Sequence, residues 1–159
     1  MTAVFLHLLV FFAVYFAMEG VAWASHKYVM HGFLWVLHKS HHRQKGLHTA
    51  GWFEWNDLFG VFFAAVALGF AWAALHVSTL FGAAAFGMLG YGLTYLFLHD
   101  ILAHKRFGIT VHPGSRYLRR VVQSHRLHHA RNSKDGCVSF GFLVPVRTKA
   151  RAPEPSRTV

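Results

Sequence analysis

Two runs of this sequence decide most of what the chain can become. Leu58 to Leu75 is 18 residues without a charge, and Leu80 to Leu98 is 19. As α-helices, both are long enough, or nearly so, to cross a hydrocarbon core of about 30 Å. A helix also satisfies its own backbone, as a spanning segment must. A third run, Ala3 to Met18, is broken only by His7 and continues past Glu19 into GVAWA. It competes with a signal-peptide reading, because Ala22-Trp23-Ala24 resembles a cleavage site. No cationic residue precedes it, however, and cleavage would fall just before a histidine cluster, so a retained span is expected. Burial of all three in a soluble core is ruled out by composition, with 54% hydrophobic and only 14% charged residues. The expected fold class is an all-α integral membrane protein with three to four transmembrane helices and a histidine-rich helical cap. One domain is expected over residues 1–146, and a disordered Pro- and Arg-rich tail over 147–159.

The formal charge of +10 is unevenly placed. No Lys or Arg precedes Lys27, four lie from Lys27 to Lys45, and twelve lie from Lys105 onward. The positive-inside rule puts the 27–57 region and the C-terminal third in the cytoplasm, and the N-terminus and the 76–82 turn outside. Three crossings satisfy that parity. Basic residues beside a span are expected to face anionic lipid, with no nucleic acid as partner. The single cysteine, Cys137, excludes an intrachain disulfide and a cysteine-based zinc site, and is expected to be a small buried hydrophobe.

Ten of the 14 histidines state one compound pattern twice. His26 and His31 form an H-x4-H pair, followed by the H-x2-H-H triplet His38, His41 and His42. His99 and His104 form the second pair, followed by His125, His128 and His129. Each copy begins where an apolar run ends, on the side that the charges assign to the cytoplasm. On an α-helix, positions i, i+3 and i+4 share a sector of roughly 100°, so each triplet can serve one metal or straddle two. The pairs are five residues apart, about 140° around a regular helix. Either the helix is locally wide, as a π-turn that aligns i with i+5, or the two histidines reach different ions. His7, His48 and His76 read as isolated interfacial histidines.

Imidazole suits zinc, copper, iron and nickel. Ten histidines are too many for one ion and suit two, each with room for an exogenous ligand. No H-E-x-x-H occurs, which weakens a hydrolytic metalloprotease reading. An all-nitrogen site beside a bilayer fits redox-active iron acting on a lipid-soluble substrate. A metal transporter or metal-binding membrane protein is the alternative of another class. Transport would place ligands near the midplane of the spans, where none is found.

The wording between the histidines carries more. HKYVMHGFLWVLHKSHH, EWNDLFG, HDILAHKR and HRLHHARNSKDGCVSFGFL, within about residues 20 to 144, resemble the carotenoid branch of the membrane fatty-acid-hydroxylase and sterol-desaturase superfamily. That resemblance implies a non-haem diiron monooxygenase of the cytoplasmic (inner) membrane, with two Fe2+ ions, O2 and a ferredoxin-like electron donor. It implies hydroxylation at C3 of the β-ionone rings of a carotenoid drawn from the bilayer, from β-carotene through β-cryptoxanthin to zeaxanthin. It also extends to 4-keto rings on the way to astaxanthin. Another ring position, a sterol or a fatty acyl chain are the alternative substrates. The family's ligands carry over onto His26, His31, His38, His41, His42, His99, His104, His125, His128 and His129. Zinc can replace iron in purified samples, since it outcompetes ferrous iron at nitrogen ligands.

Metal-bound imidazoles usually donate their other nitrogen to a carboxylate or carbonyl. Glu54, Asn56, Asp57, Asp100, Asn132 and Asp135 are the candidates, with helix capping by Asn56 and Asp57 and a turn at Asp135-Gly136 as competing duties. Phe33, Trp35, Tyr91, Tyr95 and Phe97 are the candidate walls of a substrate pocket. Glycines 82, 87, 90 and 92 are expected to allow close helix packing. Arg116, Arg119, Arg120 and Arg126 could dock an acidic ferredoxin, or equally anchor to lipid headgroups.

Overall fold

The computed structural model describes residues 1–42 and 53–146, and these form helices and loops without a β-strand. The expected tail, 147–159, and His48 lie outside the described residues. Three helices are long and apolar enough to cross a membrane: Thr2–Phe33, Asp57–His76 and Leu80–Ala103. Helix α1 (Thr2–Ala24) packs chiefly against α4 (Leu80–Tyr95), and α4 also packs against α3 (Asp57–His76). Most of their apolar side chains face outward, including Leu68, Trp72 and Leu75. Such a surface is stable against acyl chains and not against water.

Small residues set the α1–α4 approach. A Cβ on Gly87 would stand 2.6 Å from the Phe11 carbonyl oxygen, so only glycine lets the two backbones meet there. Gly92 has nothing within 4 Å of its Cβ position and faces open space instead. At the opposite end His7 Nε2 lies 2.9 Å from Thr79 Oγ1, the interfacial hydrogen bond expected of an isolated histidine.

Both histidine pairs sit where a regular helix widens. α1 continues as a π-helix over Ser25–Phe33, and α4 continues as one over Leu96–Ala103. In the second, the His104 amide donates to the His99 carbonyl, five residues back, at 2.9 Å. The wider turn aligns residues five apart, so ring centroids lie 5.2 Å apart for His26 and His31 and 4.6 Å for His99 and His104. Of the two possibilities that the spacing left open, the widened helix holds.

Two short helices complete the cap. α2 (Trp35–His42) carries the first triplet. α5 (Arg116–His129) starts at Ser115, whose hydroxyl accepts from the Leu118 amide, and lies across the π-segment of α4. Its inner face, Val121 and Val122, packs on Leu98, Leu102 and Phe142, while Arg116, Arg119, Arg120 and Arg126 are exposed. All ten pattern histidines therefore gather at one end of the bundle.

Candidate metal centre

Ten imidazoles divide into two groups of five. His26, His31, His38, His42 and His128 form the first, and His41, His99, His104, His125 and His129 the second. Within each group, one nitrogen per ring lies within 4.8 Å of all the others. Each triplet straddles both groups. Its first and last members, four apart, join their own pair, while the middle member crosses to the other. Helix geometry explains the exchange: positions i and i+4 are about 40° apart, whereas i+3 is about 100° from i+4.

The first group fixes its own tautomers. Nδ1 of His26 faces the Phe140 carbonyl at 3.0 Å, His31 faces Lys134 at 2.9 Å and His42 faces Arg131 at 3.0 Å. His128 faces the Val138 carbonyl at 2.9 Å, and His38 faces Asn56 Oδ1 at 2.6 Å. Oxygens of these kinds only accept, so every Nδ1 carries the proton and every neutral ring turns a bare lone pair inward from Nε2. Those Nε2 atoms stand 3.1–3.2 Å apart in the pairs His26–His38, His31–His128, His38–His42 and His42–His128. Protonation does not relieve the crowding, because burial pushes His42 down to about 4, His128 to about 3 and His38 to about 2. Five convergent lone pairs without protons are a cation site.

The second group has different partners. His41 Nδ1 lies 3.2 Å from Glu54 Oε2, and His99 Nδ1 lies 3.4 Å from Asp100 Oδ2. Nε2 of His41 and His99 are 3.0 Å apart, and those of His104 and His125 are 2.6 Å apart. His129 Nε2 is buried with no hydrogen-bond partner among the described residues. Burial again holds His41, His104, His125 and His129 neutral, with His104 at about 2. The residues present fit two ions with nitrogen ligands.

Asn56 occupies the N-cap position of α3, but its side chain serves His38 and makes no cap bond. Among the described residues, the Asp57 side chain bonds no histidine. It takes a two-pronged ion pair from buried Arg106, which also reaches Asp100 at 3.1 Å. The chain reverses around Arg106 through left-handed Lys105 (φ 51°) and Phe107 (φ 60°). Asn132 and Asp135, by contrast, are exposed, and among the described residues neither side chain bonds a histidine. Their segment serves through its backbone: Arg131, Lys134, Val138 and Phe140 supply the four carbonyls. Gly136 has φ 79°, in keeping with turn duty for Asp135-Gly136. Carbonyl duty leaves no side-chain signature, so residue types could not reveal it.

A cavity of about 410 Å³ lies between the three spans, next to this centre. Met18 and Ala22 of α1, Phe63 and Ala67 of α3, and Met88 and Gly92 of α4 line its apolar part. Asn56, Asp57, Asp100 and Arg106 form its polar end. Tyr91 and Tyr95 also line it, and the Tyr95 ring lies 4.8 Å from that of His99. Phe33, Trp35 and Phe97 do not line it, which corrects the sequence-based expectation. Phe33 points outward at 78% exposure, Phe97 is also exposed, and Trp35 packs on the rings of His31 and His42. Position near the histidines along the chain placed them close to the centre, but only the inner faces of the spans reach the cavity.

Comparison with known proteins agrees with this construction. The model of the family described as fatty acid hydroxylase matches residues 11–147, most of the chain. This chain belongs to the fatty acid hydroxylase family. Within that family it is 40% identical to a beta-carotene hydroxylase of Pantoea ananas, over 91% of this chain and 81% of the relative. It is 43% identical to one of Pseudescherichia vulneris, over 80% and 70%, and 42% identical to one of a Paracoccus species, over 85% and 82%. No solved structure matches. A hydroxylase of this family carried in a membrane accounts for the spans, the histidine groups and the cavity together.

Proposed function

We propose that this fatty acid hydroxylase family member is a carotenoid-ring hydroxylase that inserts oxygen at C3 of the β-ionone rings of β-carotene, giving zeaxanthin by way of β-cryptoxanthin. The observation that carries the reading is the juxtaposition of two five-nitrogen histidine groups with an apolar cavity at the depth of the spans. The similarity to beta-carotene hydroxylases supports the substrate class.

On this reading the ten histidines would hold two ferrous ions, one in each group. Bound iron supplies the activation of O2 that an unactivated ring C–H requires. Overall, one O2, two electrons and two protons convert a C–H into a C–OH and water, with a ferredoxin-type protein as the electron source. The protein's own residues do the rest. Backbone carbonyls 131, 134, 138 and 140 and Asn56 hold five rings in one tautomer, while in the second group Glu54 orients His41 and Asp100 sets a negative charge beside His99. Met18, Phe63, Ala67 and Met88 admit a hydrocarbon ring from the bilayer and keep water scarce. Tyr95, packed on the ring of His99, and the Asp57–Arg106–Asp100 ion network form the end of the cavity nearest the histidines and position the hydrocarbon ring there. A single domain over 1–146, set in the inner membrane with the histidines facing the cytoplasm, satisfies the charge distribution. Rings bearing a 4-keto group are further candidate substrates, and the polar end of the cavity supports that reading.

Expression in cells that accumulate β-carotene, followed by pigment chromatography, tests the proposal. Zeaxanthin is the expected product. Unchanged β-carotene alongside membrane-inserted, iron-loaded protein would overturn it and turn attention to a sterol or acyl substrate, or to metal transport.

A further inference from the structure

An acid within a membrane span is costly unless something needs it there. Glu19, two turns before His26 on α1, uses both carboxylate oxygens. Oε1 accepts from the successive backbone amides of Phe142 (2.8 Å), Leu143 (2.9 Å) and Val144 (3.4 Å), and Oε2 accepts from the Tyr91 hydroxyl at 2.7 Å. Consecutive amides converging on one oxygen form an anion-binding nest, here filled from within the chain.

The segment held by this nest is the one that orients the first histidine group. Residues 131–146 have no helix or strand, so bonds to the rest of the protein fix their course. Four of their carbonyls receive Nδ1–H from His42, His31, His128 and His26. Gly141 lies against the clamp: a Cβ there would stand 2.5 Å from Glu19 Oε1. In the second group the oxygens facing Nδ1 of His41 and His99 belong to Glu54 and Asp100, and the segment touches that group through the Phe142 ring.

We propose that Glu19 is a positioning residue for one of the two ion sites: by clamping amides 142–144 it holds the carbonyl strap over the first histidine group, and its loss empties that site selectively. The inference rests on the two-ion reading above. Loss of an outer partner of metal-bound histidines weakens binding on the order of tenfold to a hundredfold.

The test uses full-length protein in lipid nanodiscs, titrated with ferrous iron enriched in 57Fe and read by bound-metal analysis and Mössbauer spectroscopy. Wild type should bind two irons. Glu19→Leu should keep one tight iron, with the other weakened at least tenfold and its Mössbauer component lost. Gly141→Ala, which leaves the span untouched, should do the same by pushing the strap off the carboxylate. Glu19→Gln, whose amide oxygen still accepts from the three amides, should retain both irons, as should Tyr91→Phe. If Gly141→Ala and a membrane-inserted Glu19→Leu both hold two irons with wild-type affinity and spectrum, the clamp assignment is wrong. Equal loss of both irons in these variants also overturns it. Wild type binding fewer than two irons would instead bring down the two-ion reading, and the assignment with it.

Discussion

His38 donates its Nδ1–H to Asn56 Oδ1 across 2.6 Å, tying the helix of the first triplet to the opening turn of α3. Both residues are buried. Among the described residues, Asn56 is the one side-chain partner of Nδ1 in the first group; the other four histidines there rely on backbone. Asn56→Leu removes the acceptor and leaves a buried N–H unmet. Iron affinity at the first group should fall on the order of tenfold to a hundredfold, while Asn56→Asp, which still accepts, should retain most of it. Iron titration of the purified variants measures both.

His128 is fully buried and belongs to the second copy of the pattern, yet its Nε2 faces His31 and His42 of the first. His128→Ala should abolish hydroxylation of β-carotene in pigment-producing cells, with the protein still found in the membrane fraction. Retained product in that variant means that the ring is not a ligand.

Gly92 faces the cavity, and a Cβ there would meet no atom within 4 Å. Gly92→Leu should therefore fold and load iron normally but fill space that a carotenoid ring needs. Zeaxanthin formation should drop more than tenfold while iron content stays at the wild-type value. Unimpaired hydroxylation would place the substrate elsewhere.

Acid should destabilise the metal-free protein by a mechanism with a definite sign. Burial holds His42 near 4, His128 near 3, and His38 and His104 near 2, all below the ordinary 6.5. Between those values and 6.5 the unfolded chain binds protons that the folded chain refuses. Stability is thus full above pH 6.5 and declines as pH falls toward 4 and below, each of His38, His104 and His128 adding a slope of about 1.4 kcal/mol per pH unit. Protons compete with metal in the same direction. Thermal unfolding in nanodiscs at pH 7.5, 6 and 5 should show a monotonic fall, and a flat profile would contradict the neutral assignment.

Much of this was legible in the residues. Uncharged length located the spans, because a bilayer leaves few other solutions, and repeated spacing singled out the ten histidines that come together. The five-residue spacing of His26 and His31 left a widened helix or two different ions open, and the π-helix is the one found. The rest depended on relations that spacing does not encode. The carbonyls of Arg131, Lys134, Val138 and Phe140 are invisible because every residue owns one. Glu19 read only as an interruption of an apolar run, since Tyr91 lies 72 residues away and its backbone partners more than 120. Phe33, Trp35 and Phe97 carry the right chemistry for a pocket wall, but helix rotation turns Phe33 and Phe97 outward and Trp35 onto imidazole.

The swap of middle histidines has a consequence for how the molecule comes together. His41 leaves the first half of the chain to complete the second half's set, and His128 returns the loan. Neither half can complete a group of five alone, so full metal loading would require both halves of the chain. An ion seated in either group would stitch the two halves to one another and act as a rivet for the assembled cap.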